Sequence, residues 1–360
     1  MKNNVIKDLV KICKYAGGRF DLVQAGGGNA GAKVDTGKLL VSQGVGCVLS
    51  ETESNYGYVT VDSEKILDVL DNNDLLKKYS LKESVKIANQ AVREANELPD
   101  IKPTAEVFLH ALLPFKYTLH LHPVIINALL INRDAQKIIA NLYPDAGFVG
   151  YAAPGLEVSI LFAQYMQSLT GKEKPHLYFM KNHGIMVGHD TVDGLMAIVE
   201  NMMAIAEKYF AVDYSHMKNA TKIAELYSSI TGIQCIAHCS NDQTINQVYR
   251  DDKEAFFFTP CYPDQYVYNA VLPVELNELS AQEIVDFKIH NNNFLPGVVV
   301  YQDNIYFVST NLKITHEMEE VFRSHLLIVT LNKQNRKKID TLDNSLHNIL
   351  FSVNPLNRYH

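Results

Sequence analysis

His120 and His122 are separated by one residue in Phe115 to Pro123, a run with the aromatic and β-branched character of a short strand. Residues two apart on a strand face the same side, so the two imidazoles project together. Paired imidazoles are half of a divalent-metal site, and Glu106 upstream could add an oxygen ligand or carry a proton. His183, in the turn Asn182-His183-Gly184, is the candidate third nitrogen. The alternative is plain: H-x-H pairs arise by chance, and a histidine can be a hydrogen-bonded structural residue.

The elements that must position these groups follow from local pattern. Pro103 and Thr104 predict a helix start with Glu106 in its first turn, and Pro114 ends that helix. His110, four residues after Glu106, falls on the same helix face, where it would hydrogen-bond behind the site or simply pack. Leu22 to Lys33 contains Gly26-Gly27-Gly28-Asn29, a loop whose N–H groups could approach an anion or which could be only a tight turn. Lys38 to Leu49 predicts a strand pair broken at Gly44 and Gly46, and Tyr56 to Val61 continues the β character. Helices are expected over 3–16, from Asp62 or Ser63 to Leu70, over Leu81 to Asn96, over most of Ile125 to Leu142, and after Pro154-Gly155. Leu177 to Val187 predicts strand, turn, strand. Asp190 is placed to cap a helix from Thr191 to about Tyr209, with Met202 and Met203 in the core.

From about residue 215 the pattern predicts a smaller α+β region. Strands are expected at Phe256 to Leu272, Gly297 to Tyr301 and Ile305 to Ser309, the last two joined as a hairpin around Asp303-Asn304, and a helix at His316 to Leu331. No ligand constellation stands out in this half. The polar, basic tail after Gln334 reads as a solvated face with one short terminal helix.

Composition sets outer limits. The chain has 360 residues, 47% of them hydrophobic, enough for one large or two ordinary domains. Its net charge is -7, and no Lys/Arg block suggests a nucleic-acid surface or a membrane-binding patch. The amino terminus has the alternation of an amphipathic helix and lacks a signal-peptide core, and no apolar run reaches the roughly 18 residues that span a bilayer. A cytoplasmic protein acting on a small molecule is the expectation. Five scattered cysteines without a C-x-x-C pair argue for reduced thiols; Cys235, His238 and Cys239 could bind metal, or be buried small residues of a short strand.

AGGGNAGAK at 25–33, KPTAE at 102–106, HLHP at 120–123, YAAPG at 151–155 and KNHG at 181–184 together resemble the class II aldolase/adducin family, in the larger bacterial form with a carboxy-terminal extension. TPCYPDQYVY at 259–268 is weakly similar to that extension. The resemblance implies an α/β fold, three-layer α/β/α with a mainly antiparallel central sheet, over 1–214, and a smaller α+β region of unknown role over 215–360. It implies a homotetramer acting in carbohydrate metabolism. It maps His120, His122, His183 and Glu106 onto the metal ligands, usually of zinc, with Mn2+, Co2+ or Fe2+ as alternatives. Glu106 is also the implied catalytic proton carrier, and Gly28, Asn29, Lys33, Gly46 and Thr104 the implied anion-binding positions. The implied activity is that of a lyase splitting a sugar phosphate or related polyhydroxylated acid through a metal-stabilised enediolate.

Two departures bear on the substrate. The family's anion loops carry hydroxyls in G-N-x-S and in a Ser-Gly pair, where this chain has Gly31 and Val45-Gly46. Alternatives of the same resemblance are a ketopentose-phosphate 4-epimerase, against which Glu106 in place of Asp argues, a decarboxylase, and a non-catalytic adducin-like scaffold.

Overall fold

The computed structural model describes residues 2–71, 79–97, 101–291 and 293–342. The chain divides into two compact units, Met1–Tyr214 and Ser215–His360. Among the described residues, the first unit is built on seven strands: β1 (Asn29–Val34), β2 (Leu39–Gln43), β3 (Tyr58–Asp62), β4 (Tyr117–Leu121), β5 (Gly147–Val149), β6 (Leu177–Met180) and β7 (Gly184–His189). They lie in the order β3-β2-β1-β4-β7-β6-β5, every pair antiparallel except β5 with β6.

Alternation along these strands makes three layers. Ala30, Ala32 and Val34 of β1 and Tyr117, Leu119 and Leu121 of β4 face helices Lys2–Gly17, Val124–Leu130 and Val192–Phe210 in one apolar core. On the other face helices Ser63–Asp71, Leu81–Ala95, Val107–Leu112 and Leu156–Ser168 enclose two further apolar clusters. The sheet is thus three-layer α/β/α and mainly antiparallel, as expected.

Several local expectations are revised. Lys38 to Leu49 gives one strand, because the chain turns after Gln43, with Val45 N–H bonded to the Lys102 carbonyl at 2.7 Å. The helix after Pro103 starts only at Val107: Pro103 bridges Gly44 and Thr104 N–H bonds Gln43 O, so both extend the sheet edge. Thr191 caps Val192–Phe210 by accepting from Gly194 N–H, while the Asp190 carboxylate accepts from Lys116 N–H.

The second unit carries β8 (Ile236–Cys239), β9 (Val274–Leu276), β10 (Val298–Tyr301) and β11 (Asn304–Ser309) in the order β8-β11-β10-β9. The β10–β11 hairpin is present, with Gln302 and Asp303 at φ 50° and 59°, the two positive values a two-residue type I′ turn requires. Phe256 to Leu272 is not a strand: helices Lys253–Phe256 and Pro263–Asn269 occupy it, the second with Pro263 in its first turn. The long helix Leu312–Gln334 packs Met318, Phe322 and Leu326 on Val298, Val300, Ile305 and Phe307. Most of the tail, from residue 343 on, lies outside the described residues.

One buried ion pair anchors the turn that leads into the glycine-rich loop. Arg19 and Asp21 are 1% and 0% exposed; the guanidinium forks onto Asp21 at 3.0 and 2.6 Å and also bonds Glu200, while Asp21 O receives Val124 N–H just past His122. Asp21→Ala strands most of a buried guanidinium, so the first unit should lose about 3 kcal/mol in urea unfolding. A loss below about 1 kcal/mol would show that Glu200 alone suffices.

Candidate metal centre

Strand register assembles the centre. Thr118 and His120 of β4, with His122 just beyond, share the face opposite Tyr117, Leu119 and Leu121, and Asn29 of β1 lies directly across from His120. His183 comes from the β6–β7 turn, where Asn182 takes the left-handed conformation at φ 55°, tolerable for Asn. Gly184 must be glycine for reasons of space: a Cβ there would lie 2.3 Å from the Leu121 carbonyl oxygen and 2.6 Å from the His122 ring. Gly28, at φ +74°, lets the loop close on the His120 carbonyl, 2.8 Å from where its Cβ would be.

The three imidazoles converge, with one nitrogen of each within 4.8 Å of the others. His120 Nδ1–H donates to Ile185 O at 2.8 Å, which leaves Nε2 as a lone pair, and that nitrogen is 2.9 Å from His122 Nε2. Nδ1 of His183 is buried and has no hydrogen-bond partner among the described residues. Burial first, then the neighbouring imidazoles, pushes His120 well below its ordinary pKa and His122 down to about 4; burial also lowers His183, against the pull of Glu106. All three are neutral at pH 7. Three neutral imidazoles, each with one nitrogen at the point of convergence, are the donor set of a divalent ion with an imidazole preference.

Glu106 stands outside that set. It is the N-cap of Val107–Leu112, and its carboxylate oxygen receives the Asn29 amide N–H at 3.2 Å. The Asn29 oxygen can only accept, so it receives Nε2–H of His110 at 2.6 Å; the neutral His110 ring then accepts at Nδ1 from the Thr118 hydroxyl, 2.7 Å away. His110 is fully buried, and burial plus the Lys33 charge push its pKa down to about 3. His110 therefore makes the hydrogen bond behind the site. Thr118, which period-2 alternation with His120 and His122 marks, is the member that sequence reasoning missed.

The other expected anion-binding residues have different surroundings. Lys33 is a correction: its ammonium bonds Ala111 O at 3.0 Å and Leu113 O, capping the helix end instead of facing a ligand, and burial lowers its pKa to about 8. Gly31 has no room for a side chain, since a Cβ would meet Thr118 Oγ1 at 2.8 Å and the His110 ring at 2.9 Å. Gly46 sits in an open turn at φ +84°. Thr104 has a buried hydroxyl without a partner among the described residues and lines a cavity of about 520 Å3 with Arg93, Lys102 and Gly155.

Comparison with known proteins places this unit. Residues 7–210 match the family described as Class II Aldolase and Adducin N-terminal domain, and the chain belongs to that family. A Bacillus subtilis (strain 168) protein named uncharacterized oxidoreductase YuxG is 27% identical over 111 residues, 30% of this chain and 15% of that protein; the match thus spans less than a sixth of its length. Among solved structures, the N-terminal class II aldolase domain of a conserved protein from Thermoplasma acidophilum is similar at 21% identity and TM-score 0.49, covering 57% of this chain and 93% of that one. An L-fuculose 1-phosphate aldolase is similar at 15% identity and TM-score 0.40, covering 60% and 93%.

The buried network makes a pH prediction. His110 has a folded pKa of about 3 against 6.5 unfolded, so the unfolded chain binds the extra proton between those values. Stability is full above about pH 6.5 and falls as pH drops towards 3, by up to about 1.4 kcal/mol per pH unit for one proton. In chelator, urea midpoints of the first unit at pH 7 and pH 5 should differ less in His110→Gln than in wild type. Equal differences would show that His110 does not titrate with folding.

Proposed function

We propose that the first unit is the catalytic unit of a divalent-metal-dependent carbon–carbon lyase of the aldehyde-lyase kind, acting on a sugar phosphate or related polyhydroxylated acid in carbohydrate metabolism, as a homotetramer. The observation that carries the reading is the convergence of three neutral imidazoles beside a carboxylate held on Asn29. His120, His122 and His183 would hold the ion, zinc being well suited to them. When bound, such an ion polarises a substrate carbonyl as a Lewis acid.

The chain supplies the proton transfer and the positioning. Glu106 lies close enough to act on His183 electrostatically, yet its carboxylate rests on Asn29, leaving its basic lone pairs to take a proton from the reacting substrate or return one to the carbon left by cleavage. Thr118, His110 and Asn29 fix its orientation through a fully paired buried relay, so less ordering is needed at the moment of reaction. The substrate's anionic end would enter the cavity beside Thr104, where the unpartnered hydroxyl, Arg93 and Lys102 offer donors that the committed Lys33 cannot.

Metal analysis and a screen of phosphorylated and unphosphorylated ketoses with aldehyde detection test this reading. His122→Ala should lose the ion of this centre, because two imidazoles hold a zinc-class ion far less tightly than three; full occupancy of the centre in that variant would sink the ligand assignment.

Glu106→Gln should keep its metal and lose turnover by about a hundredfold to ten-thousandfold. Metal-replete Glu106→Gln within about threefold of wild type would make Glu106 structural. Metal without any cleavage in wild type would favour the scaffold alternative.

A further inference from the structure

We infer that the second unit holds a divalent-metal site of its own, formed by His238, His316 and Glu319, for a zinc-class transition ion that ties β8 to the Leu312–Gln334 helix. One ligand atom of each residue lies within 4.8 Å of the others. His238 Nε2 is 3.3 Å and His316 Nδ1 3.8 Å from the same oxygen of Glu319, spacings that a central ion with bonds of about 2.0–2.2 Å can span. The other Glu319 oxygen is held by the Ser240 hydroxyl at 2.5 Å, which aims the free oxygen at the imidazoles. The side chains of His238 and Glu319 are 20% and 16% exposed and that of His316 53%, so the site is preformed on two sides and open on the third.

A comparison within the chain shows how unusual this trio is. Pair for pair, β8-β11-β10-β9 repeats β4-β7-β6-β5: two antiparallel pairings followed by one parallel pairing, in the same chain order. Leu119 pairs with Val187 and Val187 with Leu177; His238 pairs with Phe307 and Phe307 with Val298. Leu119 and His238 are therefore equivalent. Both units then cap a long helix two residues after the last strand, at Thr191 and Asn311, which makes His316 and Glu319 the equivalents of Met196 and Val199.

In the first unit these three positions are apolar, with Leu119 and Val199 0% exposed and Met196 packed on the same core. The strand–helix geometry thus favours apolar packing, and the second unit spends it on two imidazoles and a carboxylate. Partly burying such groups costs desolvation, which coordination of one ion by all three offsets. Two imidazole nitrogens and one carboxylate oxygen, with positions left for water, suit zinc, cobalt or iron(II) and disfavour calcium and magnesium, which prefer all-oxygen shells. Cys239, next along the strand, faces the other side with Tyr306, so the cysteines do not join this group.

The full-length chain tests the site by retained zinc after chelation, reloading and desalting, for wild type, His122→Ala, His316→Ala and the double variant. His316 is half exposed, so its replacement should leave the fold intact, which circular dichroism checks. About one ion per chain is expected in each single variant and none in the double. Zinc should also raise the melting temperature of His122→Ala and leave that of the double variant unchanged. If the first centre binds nothing, wild type retains one ion that only His316→Ala removes, which supports this site and counts against the other. Zinc retained equally by wild type and His316→Ala, or no zinc retained by His122→Ala, overturns the inference and leaves a hydrogen-bonded His–Glu cluster.

Discussion

The pairing of β4 between β1 and β7 is the constraint on which the first unit depends. Because side chains alternate, a slip of one residue would exchange Thr118, His120 and His122 for Tyr117, Leu119 and Leu121. The apolar set forbids it. Leu119 and Leu121 are 0% exposed and Tyr117 1%, and each such side chain gains about 1.5–3 kcal/mol by burial. The register of the polar face is thus set by what lies behind it, and the imidazoles need contribute nothing to stability to be held in place.

What they do instead is cost stability. His110 and His120 are buried and neutral, and each gives up the solvation an exposed imidazole would keep. Complete pairing offsets part of this for His110, whose two nitrogens both have partners, and for Nδ1 of His120. His183 Nδ1 is the exception, buried with no hydrogen-bond partner among the described residues, a cost that a residue of a ligand site can carry. The glycines serve the same end. Gly31 makes room for the His110 ring that holds Asn29, and Gly184 for the His122 ring, so a larger side chain at either would displace a member of the relay or of the donor set.

The parts legible in the sequence were those fixed by local periodicity: the facing of His120 with His122, the β6–β7 turn that carries His183, the Val192–Phe210 helix and the β10–β11 hairpin. Long-range pairing decided the rest. Pro103 and Thr104 have helix-start chemistry, but the sheet edge at Gln43 and Gly44 claims their backbone. Lys33 has the right charge for an anion, yet the carbonyls of Ala111 and Leu113 at a helix C-terminus take its ammonium. Asp190 could cap a helix, and Lys116 N–H takes its carboxylate first. His238 and Glu319 are too far apart in sequence for any spacing rule to join them, which is why no constellation was visible in that half.

The repeated strand pattern shows one strand order carrying different side-chain chemistry in the two units. Through Cys239 paired with Tyr306, the second unit has Cys239 where the first has His120 paired with Met186. Its hairpin turn has Gln302 and Asp303 where the first has Lys181, Asn182 and His183, so the position that supplies the third imidazole does not exist. The first centre therefore has no counterpart among the described residues of this sheet. Strand order and register in the second unit rest on Val298, Val300, Ile305 and Phe307 packing on the last helix, residues that are not among its metal-ligating candidates. The His238 cluster arises on that packed face, at the end of the helix interface where His316 meets solvent and a polar group costs least. Topology and chemistry are thus carried by different residues, and shared strand order alone is no guide to which face of the strand bears a site.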